Sequence, residues 1–344
     1  MKTRKALIIL ISLFLIFCGC REITVTTQVH RDGSFTRIIR ITGDSSSVFE
    51  GNLPYPIDST WSRKIEQGTT GDSSRNDEFI LTYTKIFETS EELMSLIEAD
   101  TTWRKQLNRN ISVTSKFGFF YSYPTFREVF QPANPFTFLP YEDYLTHDDL
   151  LWLSGQNPIL NHSDSIHFDE VEKKAEQFIV ASVTAEIEHI LTEGITRLND
   201  PALLPTEVTR VHDSIQRWVE AWKFDEPEKI IVLFNEWTRN SAAEKLLEIN
   251  PPLFSEFQKK VDFINNLILM DSYPETVEMP GVIIETNSTM LKGNQVSWEI
   301  QPMSLLFEPY EMLVESRVIN NWAFILTGVI LLLLIIVLVL KALK

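Results

Sequence analysis

Histidines and acids set the range of chemistry open to this chain. Its six imidazoles are His30, His147, His162, His167, His189 and His212. The segment His162-Ser163-Asp164-Ser165-Ile166-His167-Phe168-Asp169-Glu170 gathers the densest set of possible metal ligands. Two neutral imidazoles with a carboxylate such as Asp164 could hold zinc. The spacing fits no named zinc pattern. The same residues suit a polar loop entering a helix, with Asp169 and Glu170 in the first turn. That reading is preferred, so His162, His167 and Asp164 stand as weak metal candidates and no cofactor is expected. Glu186-Ile187-Glu188-His189 holds one Glu-x-x-His, a ligand pair that di-iron bundles use twice. A second copy is absent from the sequence, which places Glu186 and His189 at the solvent flank of a helix. Thr146-His147-Asp148-Asp149 could supply an acid–base pair, but reads as a capped helix start before Leu150, Leu151 and Trp152.

The sequence contains no GxSxG, no HExxH, no phosphate loop and no helix-opening GxGxxG. An enzyme is therefore not expected, and a metal-dependent hydrolase is the least supported alternative. The 344 residues hold 31 Lys+Arg against 47 Asp+Glu, a net charge of −16. That acidity argues against a nucleic-acid partner, since phosphates need clustered cations. A hydrophobic content of 44% excludes a disordered chain. The most unusual composition is the aromatic run from Phe117 to Phe138. Phe117, Phe119 and Tyr121 are candidate contacts for a hydrophobic ligand in an apolar pocket between sheet and helices. Core packing is the competing reading.

Both ends are apolar. The chain opens MKTRKALIILISLFLIFCGC. Lys2, Arg4 and Lys5 precede a twelve-residue apolar run from Ala6 to Phe17, the order of a signal peptide. Phe17-Cys18-Gly19-Cys20 resembles the lipobox of bacterial lipoproteins, with Gly19 before the acceptor cysteine. Phe17 and Cys18 depart from the usual residues. By that resemblance residues 1–19 are removed and Cys20 receives a diacylglyceryl group. No thiol then remains to form a disulfide, so the exported body must be held by its own core. At the other end, Trp322 to Leu340 is nineteen residues without a charge, about 28 Å of helix against a hydrocarbon core of about 30 Å. Trp322 borders one side, and Lys341 and Lys344 the other. The positive-inside rule places residues 341–344 in the cytoplasm and the body outside. With the five terminal cations set aside, 26 Lys+Arg face the same 47 acids, and the body carries −21. The membrane is the expected partner. The expected location is the cytoplasmic membrane, with the body on its outer side.

The elements that position these residues follow from periodicity. Ile23–Val29 and Phe35–Thr42 read as a hairpin around Asp32-Gly33. A short helix is allowed at Trp61–Glu66. Glu78–Phe87 is a strand, a helix begins at Ser90 and runs toward Leu107, and Ile111–Tyr123 is one more strand. Apolar residues at three- and four-residue steps from Phe168 to Leu198 predict one long helix. Shorter helices follow, bounded by Pro201, Pro205, Pro227 and Pro251-Pro252. Gly281–Ser288 and Gln295–Ile300 read as a second hairpin. The predicted fold class is α+β: an antiparallel sheet with a packed helix, a large helical insertion and one transmembrane helix. Residues 20–123 and 276–302 would form one sheet, residues 124–275 the insertion, residues 303–321 a semi-ordered stalk and residues 322–340 the span. The alternative is two sequential domains.

The ensemble resembles LppM-like bacterial lipoproteins. The likeness rests on the lipobox, on Ile23-Thr24-Val25 with Asp32-Gly33 and Arg40-Ile41-Thr42, and on Pro280-Gly281-Val282, Thr286-Asn287 and Gly293-Asn294-Gln295-Val296-Ser297-Trp298 before a single transmembrane helix. It covers about a third of the chain and carries turn residues rather than catalytic ones. It implies a cell-envelope protein, with lipid or glycolipid binding suggested for the family. The expected function is a non-enzymatic binding or assembly protein with an envelope protein partner. The alternative is a module for lipid or another hydrophobic ligand.

Overall fold

The computed structural model describes residues 21–44, 47–49, 52–68, 78–155, 161–222 and 226–343. Residues 1–19, expected to be a signal peptide, and Cys20 lie outside these residues. Strands β1 (Glu22–Val29) and β2 (Phe35–Gly43) pair antiparallel from Glu22↔Thr42 to Val29↔Phe35. Their β-branched residues alternate buried and half-buried, and Gly33 takes the left-handed turn with φ 93°. β3 (Ser62–Gly68) and β4 (Glu78–Phe87) extend this sheet beyond β2. Residues 62–66 are therefore a strand and not the short helix that the sequence allowed. Pairing with β4 decides their conformation.

Helix α1 (Ser90–Ala99) carries Glu91 and Glu92 in its first turn and buries Leu93 and Ile97. It stops well short of Leu107, which belongs to a separate 3₁₀ turn. β5 (Arg109–Phe117) and β6 (Tyr121–Phe130) are antiparallel neighbours, so the single strand expected over Ile111–Tyr123 is a hairpin. Helix α2 (His147–Leu153) begins at a Thr146/Asp149 capping box. α3 (His162–Leu198) runs 37 residues from an Asn161/Asp164 capping box. α4 (Thr206–Arg210), α5 (His212–Glu220), α6 (Lys229–Thr238) and α7 (Ser255–Ile268) pack an apolar face inward.

The chain then returns through β7 (Tyr273–Glu278), β8 (Val282–Thr286), β9 (Met290–Lys292), β10 (Gln295–Ile300) and β11 (Tyr310–Ile319), and ends in α8 (Asn321–Ala342). The class is α+β, with two sheets where one was expected. The larger has the order β3-β4-β2-β1-β7-β10-β9, and the smaller β5-β6-β11-β8. β1 and β7 are parallel, which returns the chain to the large sheet after the helices. The expected hairpin between Gly281–Ser288 and Gln295–Ile300 does not form. β8 pairs with β11, while β10 pairs with β7 and β9. Pro280-Gly281 makes the corner between the sheets. Residues 303–321 are likewise no stalk: β11 lies between β6 and β8 and buries Met312, Val314, Ser316 and Val318.

Candidate functional site

The tip of the β5–β6 hairpin meets the start of α8. The last strand pair is Phe117↔Ser122, and the Gly118 N–H donates to the Tyr121 carbonyl at 2.8 Å. A Cβ on Gly118 would lie 2.6 Å from that carbonyl oxygen, so only glycine fits the turn. Gly118→Ala should destabilise the protein by about 1–3 kcal/mol through this overlap, read as a lowered urea midpoint. A single residue, Asn320, joins β11 to α8. Its backbone N–H donates to the Phe120 carbonyl at 2.9 Å, and its side-chain amide donates to the Gly118 carbonyl at 2.8 Å. Ser122 Oγ donates to Asn320 Oδ1 at 3.1 Å.

Aromatic rings close the same joint. Phe117 stacks on Trp322 with centroids 6.2 Å apart, and Phe119 meets the same ring edge-on at 5.3 Å. Phe120 and Tyr121 lie 4.8 and 6.1 Å from the Phe324 ring. The Arg317 guanidinium sits 5.0 Å above Tyr121. α8 itself has 22 residues, a mean hydropathy of 3.4 and only 6% of its most apolar stretch buried. It is long and apolar enough to cross a membrane.

This arrangement corrects one expectation. Phe117 and Phe119 are 70% and 46% exposed at a hairpin tip, so they line no pocket between sheet and helices. The Gly118 turn folds the aromatic run back on itself and aims it at α8. Apolar recesses lie elsewhere. One of about 770 Å³ opens between α5 and α6, lined by Trp218, Val232, Leu233 and Trp237.

Two of the three weak metal candidates have structural partners. Asp164 completes the helix cap with Asn161. His162 is exposed at the first position of α3. His167 packs edge-on against Trp152 at 5.1 Å and lies 4.0 Å from Asp148. No group of three potential ligands is close enough for a metal among the described residues. Glu186, expected at the solvent flank, is buried, and Lys260 reaches it at 2.7 Å. Asp149 is buried at the start of α2. Burial pushes its carboxyl up, but bonds from Lys174 at 2.8 Å and from Thr146 outweigh that and hold it below the usual range.

A cluster that sequence reasoning missed lies between the sheets. Arg37 Nη2 donates to Glu128 Oε2 at 2.8 Å and to Glu275 Oε1 at 2.9 Å, with all three side chains fully buried. Arg37 Nε donates to Thr27 Oγ1 at 3.1 Å. The Tyr55 hydroxyl donates to Glu275 Oε2 at 2.9 Å and to Glu128 Oε1 at 3.2 Å. Arg109 lies 3.8 Å from Glu128, bonds the Pro54 carbonyl and stacks 4.0 Å over the Tyr55 ring. Two cations and two carboxylates thus join β2 and β7 of one sheet to β5 and β6 of the other.

Burial, then the charge of Glu128, push the Glu275 carboxyl up to about 7 against the pull of Arg37. A raised carboxyl binds its proton more tightly folded than unfolded. The contribution is therefore fully present below about 4.5 and is lost as pH rises through about 7. Urea midpoints should show this component falling across that window, and Glu275→Gln should flatten it. An unchanged slope in the variant would reject Glu275 as its source.

No protein-family model and no curated protein matches the chain. A solved structure, the NMR structure of the folded domain of Mycobacterium tuberculosis LppM, is similar over 89% of this chain and 95% of that one, at 8% identity and a TM-score of 0.28. The likeness is too loose to transfer any property of LppM to this protein.

Proposed function

We propose that this protein is a doubly tethered cell-envelope lipoprotein with a non-enzymatic binding or assembly body outside the cytoplasmic membrane. Acylated Cys20 and α8 are its two anchors. The observation that carries the reading is the Asn320 joint. β11 is an interior strand of the small sheet, and one hydrogen-bonded residue separates it from α8. A flexible stalk would let the body sample many orientations. This joint instead gives it one stance relative to the helix axis, which suits a module presenting a fixed face to an envelope partner. The acidic body is repelled by anionic headgroups, so that face points away from the bilayer.

Native mass spectrometry of the full chain, extracted from host membranes into nanodiscs, tests the reading. A discrete assembly with a second protein or with further copies is the expected result. A monomer carrying one lipid in defined ratio would favour the hydrophobic-ligand alternative, for which the recess beside Trp218 and Trp237 is one available site among the described residues. Stoichiometric zinc or iron would overturn the non-enzymatic assignment. The anchors have a separate test: globomycin should block processing, and Cys20→Ser should abolish acyl labelling.

A further inference from the structure

We infer that the β5–β6 hairpin is a membrane-inserted wedge, with Phe117, Phe119 and Phe120 in the headgroup–acyl boundary of the outer leaflet beside α8. The inference rests on the proposal that α8 spans the bilayer. Its first support is depth. The uncharged stretch Trp322–Leu340 rises about 28 Å and must use nearly all of its length to cross a core of about 30 Å. Trp322 and Phe324 therefore lie at or inside the boundary. The hairpin rings touch those two residues, Phe119 to Trp322 at 5.3 Å and Phe120 to Phe324 at 4.8 Å. Rings in contact with that turn share its depth.

Exposure and charge agree with this placement. Phe117, Phe119 and Phe120 are 70%, 46% and 37% exposed, although they form one continuous patch with Trp322. Aromatic rings at a membrane boundary are favourable, whereas the same patch in water is not. Ile319 on β11 and Val282 on β8 are exposed at the same end of the small sheet. The chain holds 47 acids, yet neither 109–127 nor 316–344 contains one. Both segments reach the tip. Lys116 pairs with Tyr123 just above it, and Arg317 covers Tyr121. Two cations behind a ring of aromatics match phosphate groups above acyl chains. The occupant is thus a phospholipid surface.

Site-directed spin labelling of the full chain tests this. Cys18→Ser and Cys20→Ser remove the native thiols. Single labels are then placed through Phe119→Cys, Leu332→Cys and, as an exposed distant control, Glu256→Cys. The samples are vesicles of phosphatidylcholine and phosphatidylglycerol. Collision with oxygen should exceed collision with a water-soluble nickel chelate at 119, more so at 332, and the order should reverse at 256. A deep label at 332 with a label at 119 as wet as that at 256 overturns the wedge and leaves the span standing. A label at 332 that is not deep removes the span and the wedge with it. Strong dipolar broadening at 119 under high lipid dilution assigns the patch to a second copy and also overturns the inference. Phe117→Cys provides a second position should the label at 119 prevent folding.

Discussion

Replacing Arg37 by Met should destabilise the body by about 3–5 kcal/mol, enough to unfold many domains of this size. The side chain is fully buried, and one of its nitrogens serves two carboxylates. Without it Glu128 and Glu275 face each other through Tyr55, and Arg109, 3.8 Å from Glu128, is the cation left beside them. The cost comes less from the lost attraction than from buried charge left without a partner. Arg37→Lys should recover only part of the loss, because a single ammonium cannot serve Thr27, Glu128 and Glu275 as the guanidinium does. Lys64→Ala is the contrasting case. Its pair with Glu66 joins side chains 69% and 50% exposed, and its loss should change stability by less than about 1 kcal/mol. Urea titrations followed by tryptophan fluorescence separate these outcomes. Equal midpoints for Arg37→Met and Lys64→Ala would show that the cluster does not hold the sheets together.

The cluster was hidden in plain alternation. Phe35, Arg37 and Ile39 share one face of β2; Phe126, Glu128 and Phe130 share one of β6; Tyr273, Glu275 and Val277 share one of β7. In each case a charged residue occupies the inward phase of an otherwise apolar face. Sequence reading treats a charge as a break in the pattern. Here three such breaks meet, and their coincidence in space is invisible along the chain. Local signals fared better. The Asp32-Gly33 turn and the Thr146 cap are each set by neighbours within a few positions, and each appears where expected. The steps of α3 run to Leu198 as expected, but the helix starts at His162 and not near Phe168: the Asn161/Asp164 capping box turns the expected polar loop into its first turns, so Asp169 and Glu170 lie beyond the first turn. β11 was missed for the opposite reason. Tyr310–Ile319 adjoins the apolar helix and by position reads as its linker, although Met312, Val314 and Val318 alternate as a strand requires. The aromatic tip was legible in composition but not in direction, because one glycine decides which way it points.

The second large effect lies at the corner that passes the chain between the sheets. Gly281 adopts φ +86°, and a Cβ there would overlap the Arg317 carbonyl oxygen in the backbone of β11. The same corner is pinned from the other side, where Ser316 Oγ donates to the Pro280 carbonyl at 2.7 Å. Gly281→Ala should therefore combine a left-handed backbone penalty of about 1–2 kcal/mol with an overlap that β11 can relieve only by moving, for a total of about 3 kcal/mol. Gly33→Ala supplies the control: φ is +93°, but nothing lies within 4 Å of the added methyl. It should show the backbone part alone. The difference between the two midpoints measures the overlap, and equal midpoints would reject it. Hydrogen exchange then follows the consequence along the chain. Displacing β11 at Arg317 shifts Asn320 three residues later and loosens its bonds to Gly118 and Phe120. Amides at the hairpin tip should exchange faster in Gly281→Ala than in Gly33→Ala. The corner between the sheets is thus coupled to the stance of the body on its helix, through a strand that ends where the long apolar helix begins.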